Sequence, residues 1–352
     1  MQQAQDELQK ILQEKQNIIA KEVVEKQYSY APDFWKQYGE EGRRKSIQDA
    51  SYHLSFLSEA VQIEDQDIFT EYIEWVKLLF REINLPENVI INTLKITDEV
   101  LKDFLPHDAY SIASQYLEAG LRKARETVQH EDSYIDPTTE TGKLAKQFNE
   151  LLLEGRRNDA GKLIMKEIEN GRPIKDIYLK VFQPSQKEVG RLWLMNRISV
   201  AKEHYVSAAT QMIMSQLYPY IFSTERKGYT FIGACAGGEL HEIGLRMVCD
   251  FFEMDGWDTY YLGAYTPAPA IIEAIQQNKA NVIGLSIAMP FHQSLLKKLI
   301  AQIKEGVKGK QPKILVGGNG IDPKKDTWKF LGADGYAKDA REAIKFANHL
   351  IA

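Results

Sequence analysis

The chain has 352 residues, 44% hydrophobic and 26% charged, a globular composition in a length too great for one ordinary core. A formal net charge of −5 gives no basic footprint for nucleic acid, and Cys235 and Cys249 have the spacing of neither a disulfide framework nor a zinc site, so a reducing cytoplasm is the expected setting. No apolar run approaches the roughly 20 residues of a membrane span, and the stretch from Met1 to Glu7 lacks the layout of a signal peptide.

Residues 1–128 read as an all-helical domain with a sensory or interaction role. Leu8, Ile11, Leu12, Ile18, Ile19 and Val23 form one apolar stripe on a long first helix, suited to packing on its own domain or on a second subunit. Further helices are expected near 43–62, 66–84, 86–104 and 109–128, with Asp65 as an N-cap and Pro86 opening the helix after that. His53 lies on an apolar face and reads as a satisfied core histidine. The sequence leaves a second chromophore, such as a tetrapyrrole, open for this domain. Residues 129–142 are polar and rich in turn formers, as expected of a linker.

Residues 143–225 return to helical periodicity, with helices near 144–154, 158–170, 174–195 and 199–222. Pro184 predicts a kink or break in the third, and Ser199 caps the fourth. The short turn at 196–198 makes an antiparallel pair and draws Trp193 towards Glu203 and His204. Over 226–352 the period changes. Apolar runs at 229–234, 258–262, 281–287, 313–317 and near 333–337 alternate with helical stretches near 242–254, 267–278, 291–305 and 339–351. This alternation predicts a Rossmann-like, doubly wound, five-stranded parallel sheet, so the fold class of the whole is α plus α/β.

Ligands of such sheets sit at the carboxyl ends of the strands. The loop after the first strand, Gly237 to Gly244, holds Glu239 and His241; the third strand ends at Ser286 and the fourth at Gly317-Gly318. The glycines are misplaced for a dinucleotide fingerprint, Cys235 and Ser286 stand where a phospho-receiver needs acids, and no P-loop occurs. What remains is one imidazole on a loop, a hydroxyl in the sheet and a glycine pair that opens a slot. That set suits a large ligand with a metal at one end and a long tail.

Residues 143–352 resemble the cobalamin-binding module, a four-helix cap followed by a Rossmann-like domain. The family pattern DxHxxG, then SxL or SxT, then GG, stands here as Glu239-x-His241-x-x-Gly244, Ser286-x-Ala288 and Gly317-Gly318, with Glu and Ala as departures. The resemblance implies that His241 is the lower cobalt ligand, Glu239 its carboxylate partner and Ser286 a contact of the displaced base. Gly317 and Gly318 would admit the nucleotide tail. Trp193 followed by Glu203-His204 is similar to the Trp-x9-Glu-His pattern of light-sensing cobalamin regulators of the CarH/LitR type, where the cluster accommodates an adenosyl group. Those proteins carry a histidine after the Trp, where this chain has Leu194, and a MerR-type DNA-binding domain that residues 1–128 replace.

The expectation is therefore a cytoplasmic cobalamin-binding sensor or regulator. It would hold adenosylcobalamin, with methylcobalamin as the other form, and respond to light through Co–C bond breakage. Its output would pass through the N-terminal helices to a protein partner or a homo-oligomer, with no direct nucleic-acid or membrane contact. The competing expectation is a corrinoid methyl carrier of a methyltransferase system, which shares the lower-ligand loop. A third is an interaction protein with a vestigial pocket.

Overall fold

The computed structural model describes residues 2–127, 132–222 and 224–351, and the chain divides into two compact units, Met1–His130 and Glu131–Ala352. Residues 129–131 of the expected linker lie outside the described residues. Among the described residues no helix is long and apolar enough to cross a membrane.

The first unit is helical throughout: α1 (Gln2–Tyr30), α2 (Pro32–Lys36), α3 (Gly39–Ile63), α4 (Gln66–Glu82), α5 (Asn88–Phe104) and α6 (His107–Arg125). Leu8, Leu12, Ile19 and Val23 of the α1 stripe are buried, while Ile18 stays exposed. Asp65 caps α4 by accepting the Asp67 amide at 3.0 Å, as its sequence position predicts. His53 is buried, and its Nδ1 lies 2.7 Å from the Tyr72 hydroxyl, so its polar edge is satisfied inside the core.

The second unit opens with a helical bundle. It consists of α7 (Glu140–Leu153), α8 (Arg157–Glu169), α9 (Ile174–Ile177) leading through a π turn (Tyr178–Phe182) into α10 (Gln183–Leu194), then α11 (Val200–Gln216) and the short α12 (Tyr218–Ile221). Thr139 and Ser199 cap α7 and α11 through side-chain oxygens that accept the amides of Gly142 and Lys202. Pro184 does not break the third helix. The π turn just before it loosens the backbone where the proline lacks an N–H and its ring crowds the preceding turn.

The sheet follows, with β1 (Thr230–Cys235), α13 (Ile243–Met254), β2 (Asp258–Gly263), α14 (Ala268–Asn278), β3 (Val282–Ser286), α15 (Gln293–Gly306), β4 (Lys313–Gly317), α16 (Thr327–Phe330), β5 (Gly335–Ala337) and α17 (Ala340–Ile351). All five strands pair in parallel in the order β2-β1-β3-β4-β5. Apolar side chains of α14 and α15 cover one face with Ile232, Ile283 and Ile314, and those of α13 and α17 cover the other with Phe231, Val282 and Leu315. The inner strands β1, β3 and β4 are largely buried and so need continuous apolar runs, while the edge strand β2 is mostly exposed. The bundle core, built on Phe148, Tyr178, Phe182 and Ile213, continues into Met247 and Phe251 of α13. Bundle and sheet thus share packed surface within one unit.

Candidate functional site

The strand order reverses between β1 and β3, since β1 leads to β2 on one side and the chain returns to β3 on the other. Such a switch point leaves a crevice at the carboxyl ends of the strands. The register sets Cys235 beside Ser286, Ser286 beside Gly317 and Gly317 beside Ala337, a row of small residues across that end of the sheet.

The loop after β1 carries Glu239, which is 1% exposed, and His241, whose side chain is 63% exposed. One Glu239 oxygen accepts from the His241 amide at 3.0 Å and faces His241 Nδ1 at 2.5 Å. The other accepts from the amides of Ala288 at 2.7 Å and Met289 at 3.0 Å and lies 3.2 Å from His292 Nδ1. A single buried carboxylate therefore locks the β1 loop to the loop after β3. Glutamate in place of the family's aspartate does not lose the imidazole; its longer arm reaches both loops.

Burial alone would raise the Glu239 carboxyl, but the hydrogen bonds from His241, His292 and the backbone outweigh it and hold the group far below the usual carboxylate range. His241 is shifted up, chiefly by its bond to Glu239 against an opposing desolvation, with a smaller contribution from the charge of Glu203. With Nδ1–H donated to Glu239, the tautomer that leaves Nε2 with a free lone pair is favoured.

Gly318 has φ of +99°, and a β-carbon there would stand 2.1 Å from the Ile287 carbonyl oxygen and 3.0 Å from Ser286 Oγ. The backbone can take this path only as glycine. At Gly244, in the first turn of α13, an added β-carbon would meet nothing, so packing inside the chain does not demand glycine there. Burial pushes the Cys235 thiol up to about 12, with Glu239 and Glu242 adding to the shift, so it serves as a small core residue.

On the bundle side, Glu203 and His204 bond to each other, and Ser207 donates to Glu203 at 3.1 Å. Trp193 lies near the end of α10 and is 36% exposed, while Leu194 beside it is buried. The Glu203 charge adds a small upward push to the His241 imidazole. Sequence reasoning missed His292 and the Ala288 and Met289 amides. The only signal was a histidine in Pro290-Phe291-His292, directly past the third strand.

The donor set tests what could bind. One exposed imidazole nitrogen braced by a carboxylate is too sparse for a bare ion and fits a metal that brings its own macrocycle. The row of small residues at the carboxyl end of the strands fits a tail leaving that macrocycle along the sheet. The fold and the braced, exposed imidazole fit a protein that holds a macrocyclic metal cofactor through His241.

Residues 144–218 and 229–345 each match a family described as B12 binding domain, which supports a cobalamin-binding family for this chain. A corrinoid protein of Desulfitobacterium hafniense is 24% identical over 214 residues, covering 59% of this chain and 97% of the relative. Dimethylamine corrinoid protein 2 of Methanosarcina acetivorans is 26% identical over 182 residues, covering 50% and 82%. The monomethylamine corrinoid protein of Methanosarcina barkeri shares the fold, with a TM-score of 0.52 and 22% identity over 58% of this chain and 97% of its own.

These relatives correct the expectation of a light-responsive, adenosylcobalamin-dependent regulator signalling through its N-terminal helices. They are named as corrinoid proteins, two of them for methylamines, and none of these three is named as a light-sensing regulator. The lower-ligand loop is common to carriers and sensors and could not separate them. The sensor reading rested on Trp193, Glu203 and His204 alone, and in the structure His204 is exposed and bonded to Glu203.

Proposed function

We propose that the chain is a corrinoid protein that carries a methyl group between methyltransferase partners, with methylcobalamin as its loaded form. The corrinoid part of this reading is carried by the exposed imidazole of His241, braced by buried Glu239 at the switch point of the sheet. The names of the relatives, which include methylamine corrinoid proteins, favour a methyl carrier over other uses of the same module. When bound, the corrinoid supplies a cobalt centre able to accept and release a methyl group.

In this reading His241 offers Nε2 as the lower ligand, and Glu239 fixes its tautomer and orientation. Ser286 meets the displaced base, Gly317 and Gly318 leave the slot for the tail, and Gly244 keeps the lower face clear. Trp193, Glu203 and His204 belong to the cap side. Residues 143–225 form the cap, 226–352 the cobalamin-binding domain and 129–142 the linker, with 1–128 an interaction domain that meets a methyltransferase or a second copy.

Reconstitution with hydroxocobalamin tests the proposal. The wild-type chain should give a base-off, histidine-coordinated spectrum and take up methyl groups from a methylated amine when a methylamine-specific methyltransferase is added. His241→Ala should bind base-on or more weakly. An unchanged base-off spectrum in that variant removes the lower-ligand assignment, and a corrinoid-loaded wild type that no methyltransferase can methylate removes the carrier role.

A further inference from the structure

Between the bundle and the β4–β5 side of the sheet lies a cavity of about 370 Å3, lined by Gln183 and Lys187 of α10, Gly318 and Asn319 after β4, Tyr336 of β5, and Lys338. Gly318 forms part of its wall, where the left-handed backbone passes tightly against the Ile287 carbonyl. Two ammonium groups, two amides and the Asp339 carboxylate line one small space. Lys338 is already paired with Glu342 at 2.7 Å, and Asp339 accepts the Glu342 amide at 2.9 Å, so these charges are engaged at the start of α17. Lys187 differs. It stands over the Tyr134 ring at 5.8 Å, and among the described residues no carboxylate forms an ion pair with it.

A complete cobalamin carries one fixed anion on its tail, the phosphodiester of the nucleotide loop, and an ammonium group binds phosphate as a point charge. We propose that Lys187 reaches from the bundle to this phosphodiester, with Gln183 and Asn319 as neutral hydrogen-bonding partners. The cap thereby selects corrinoids with an intact nucleotide loop over truncated ones. This inference rests on the corrinoid reading above and adds a selectivity determinant to it.

Titration of the full chain with hydroxocobalamin and with diaquocobinamide, which has the same corrin ring but no nucleotide loop, tests it by absorbance. Lys187→Ala should weaken hydroxocobalamin roughly tenfold, the scale of a charge-assisted contact, and leave diaquocobinamide within about twofold. Lys187→Arg should keep most of the affinity. Added salt should weaken hydroxocobalamin more in the wild type than in Lys187→Ala. Equal losses on both corrinoids, or no loss on either, overturn the role of Lys187. A wild type that binds neither corrinoid overturns the corrinoid reading itself.

Discussion

Glu239 concentrates more of the site than any other side chain. Its two oxygens meet donors from His241, Ala288, Met289 and His292, and the residue is almost wholly buried. Replacing it with glutamine keeps the size but puts an NH2 group where the site needs only acceptors. Loss of a carboxylate behind a metal-bound histidine typically costs 10- to 100-fold in affinity, and the buried donors left unmet cost about 1–3 kcal/mol in stability. Glu239→Gln should therefore bind hydroxocobalamin at least about tenfold more weakly and melt earlier. A titration with wild-type affinity and an unchanged spectrum would show that His241 does not depend on this carboxylate.

Among elements, the bundle is fastened to α13 by polar contacts set in apolar surroundings. The Tyr178 hydroxyl, in the π turn, donates to Asp250 Oδ2 at 2.7 Å, and Arg246 donates to Gln211 at 3.2 Å, Ser215 at 2.6 Å and Tyr218 at 3.0 Å. Burial pushes Asp250 up to about 6, with the Tyr178 bond and the Arg246 charge resisting. A carboxyl raised in the folded state adds stability that is complete below its ordinary value of 3.8 and is lost as pH rises through about 6. Tyr178→Phe removes the donor that Asp250 needs once charged. The variant should lose about 1–3 kcal/mol at pH 7 and less at pH 5, where Asp250 is mostly protonated. Urea unfolding at the two pH values checks this, and an equal loss at both would mean that the Tyr178 bond does not respond to the charge on Asp250.

As a whole molecule, the chain is two compact units, and heating should give two transitions rather than one. Their pH responses differ because His53 belongs to the first unit. Burial pulls His53 down to about 4 from an ordinary value of 6.5, so the folded unit binds fewer protons than the unfolded one between these values. Its contribution is full above pH 6.5 and is lost as pH falls towards 4. One transition should therefore drop between pH 7.5 and 5, and His53→Gln should reduce that drop. If the variant shows the same shift as the wild type, other groups set the acid sensitivity of this unit.

The amino-acid sequence by itself determined the elements and singled out the loop that carries Glu239 and His241. Strands buried on both faces demand apolar runs, helices demand a 3.6-residue stripe, and the pattern Glu239-x-His241-x-x-Gly244 is local to one loop. The buried strands β1, β3 and β4 follow these runs to within a few residues, and His53 is a core histidine as its apolar face predicts. Tertiary structure decided what depends on elements meeting. His292 joins Glu239 across 53 positions, and Lys187 of the bundle reaches the space beside Gly318 only because the bundle docks on the sheet. Pro184 signalled trouble in its helix, but only packing could turn a break into a π turn. The choice between carrier and sensor was not legible, because both need the same imidazole on the same loop. Contacts between distant segments are set by the free energy of packing whole surfaces, which no local spacing records.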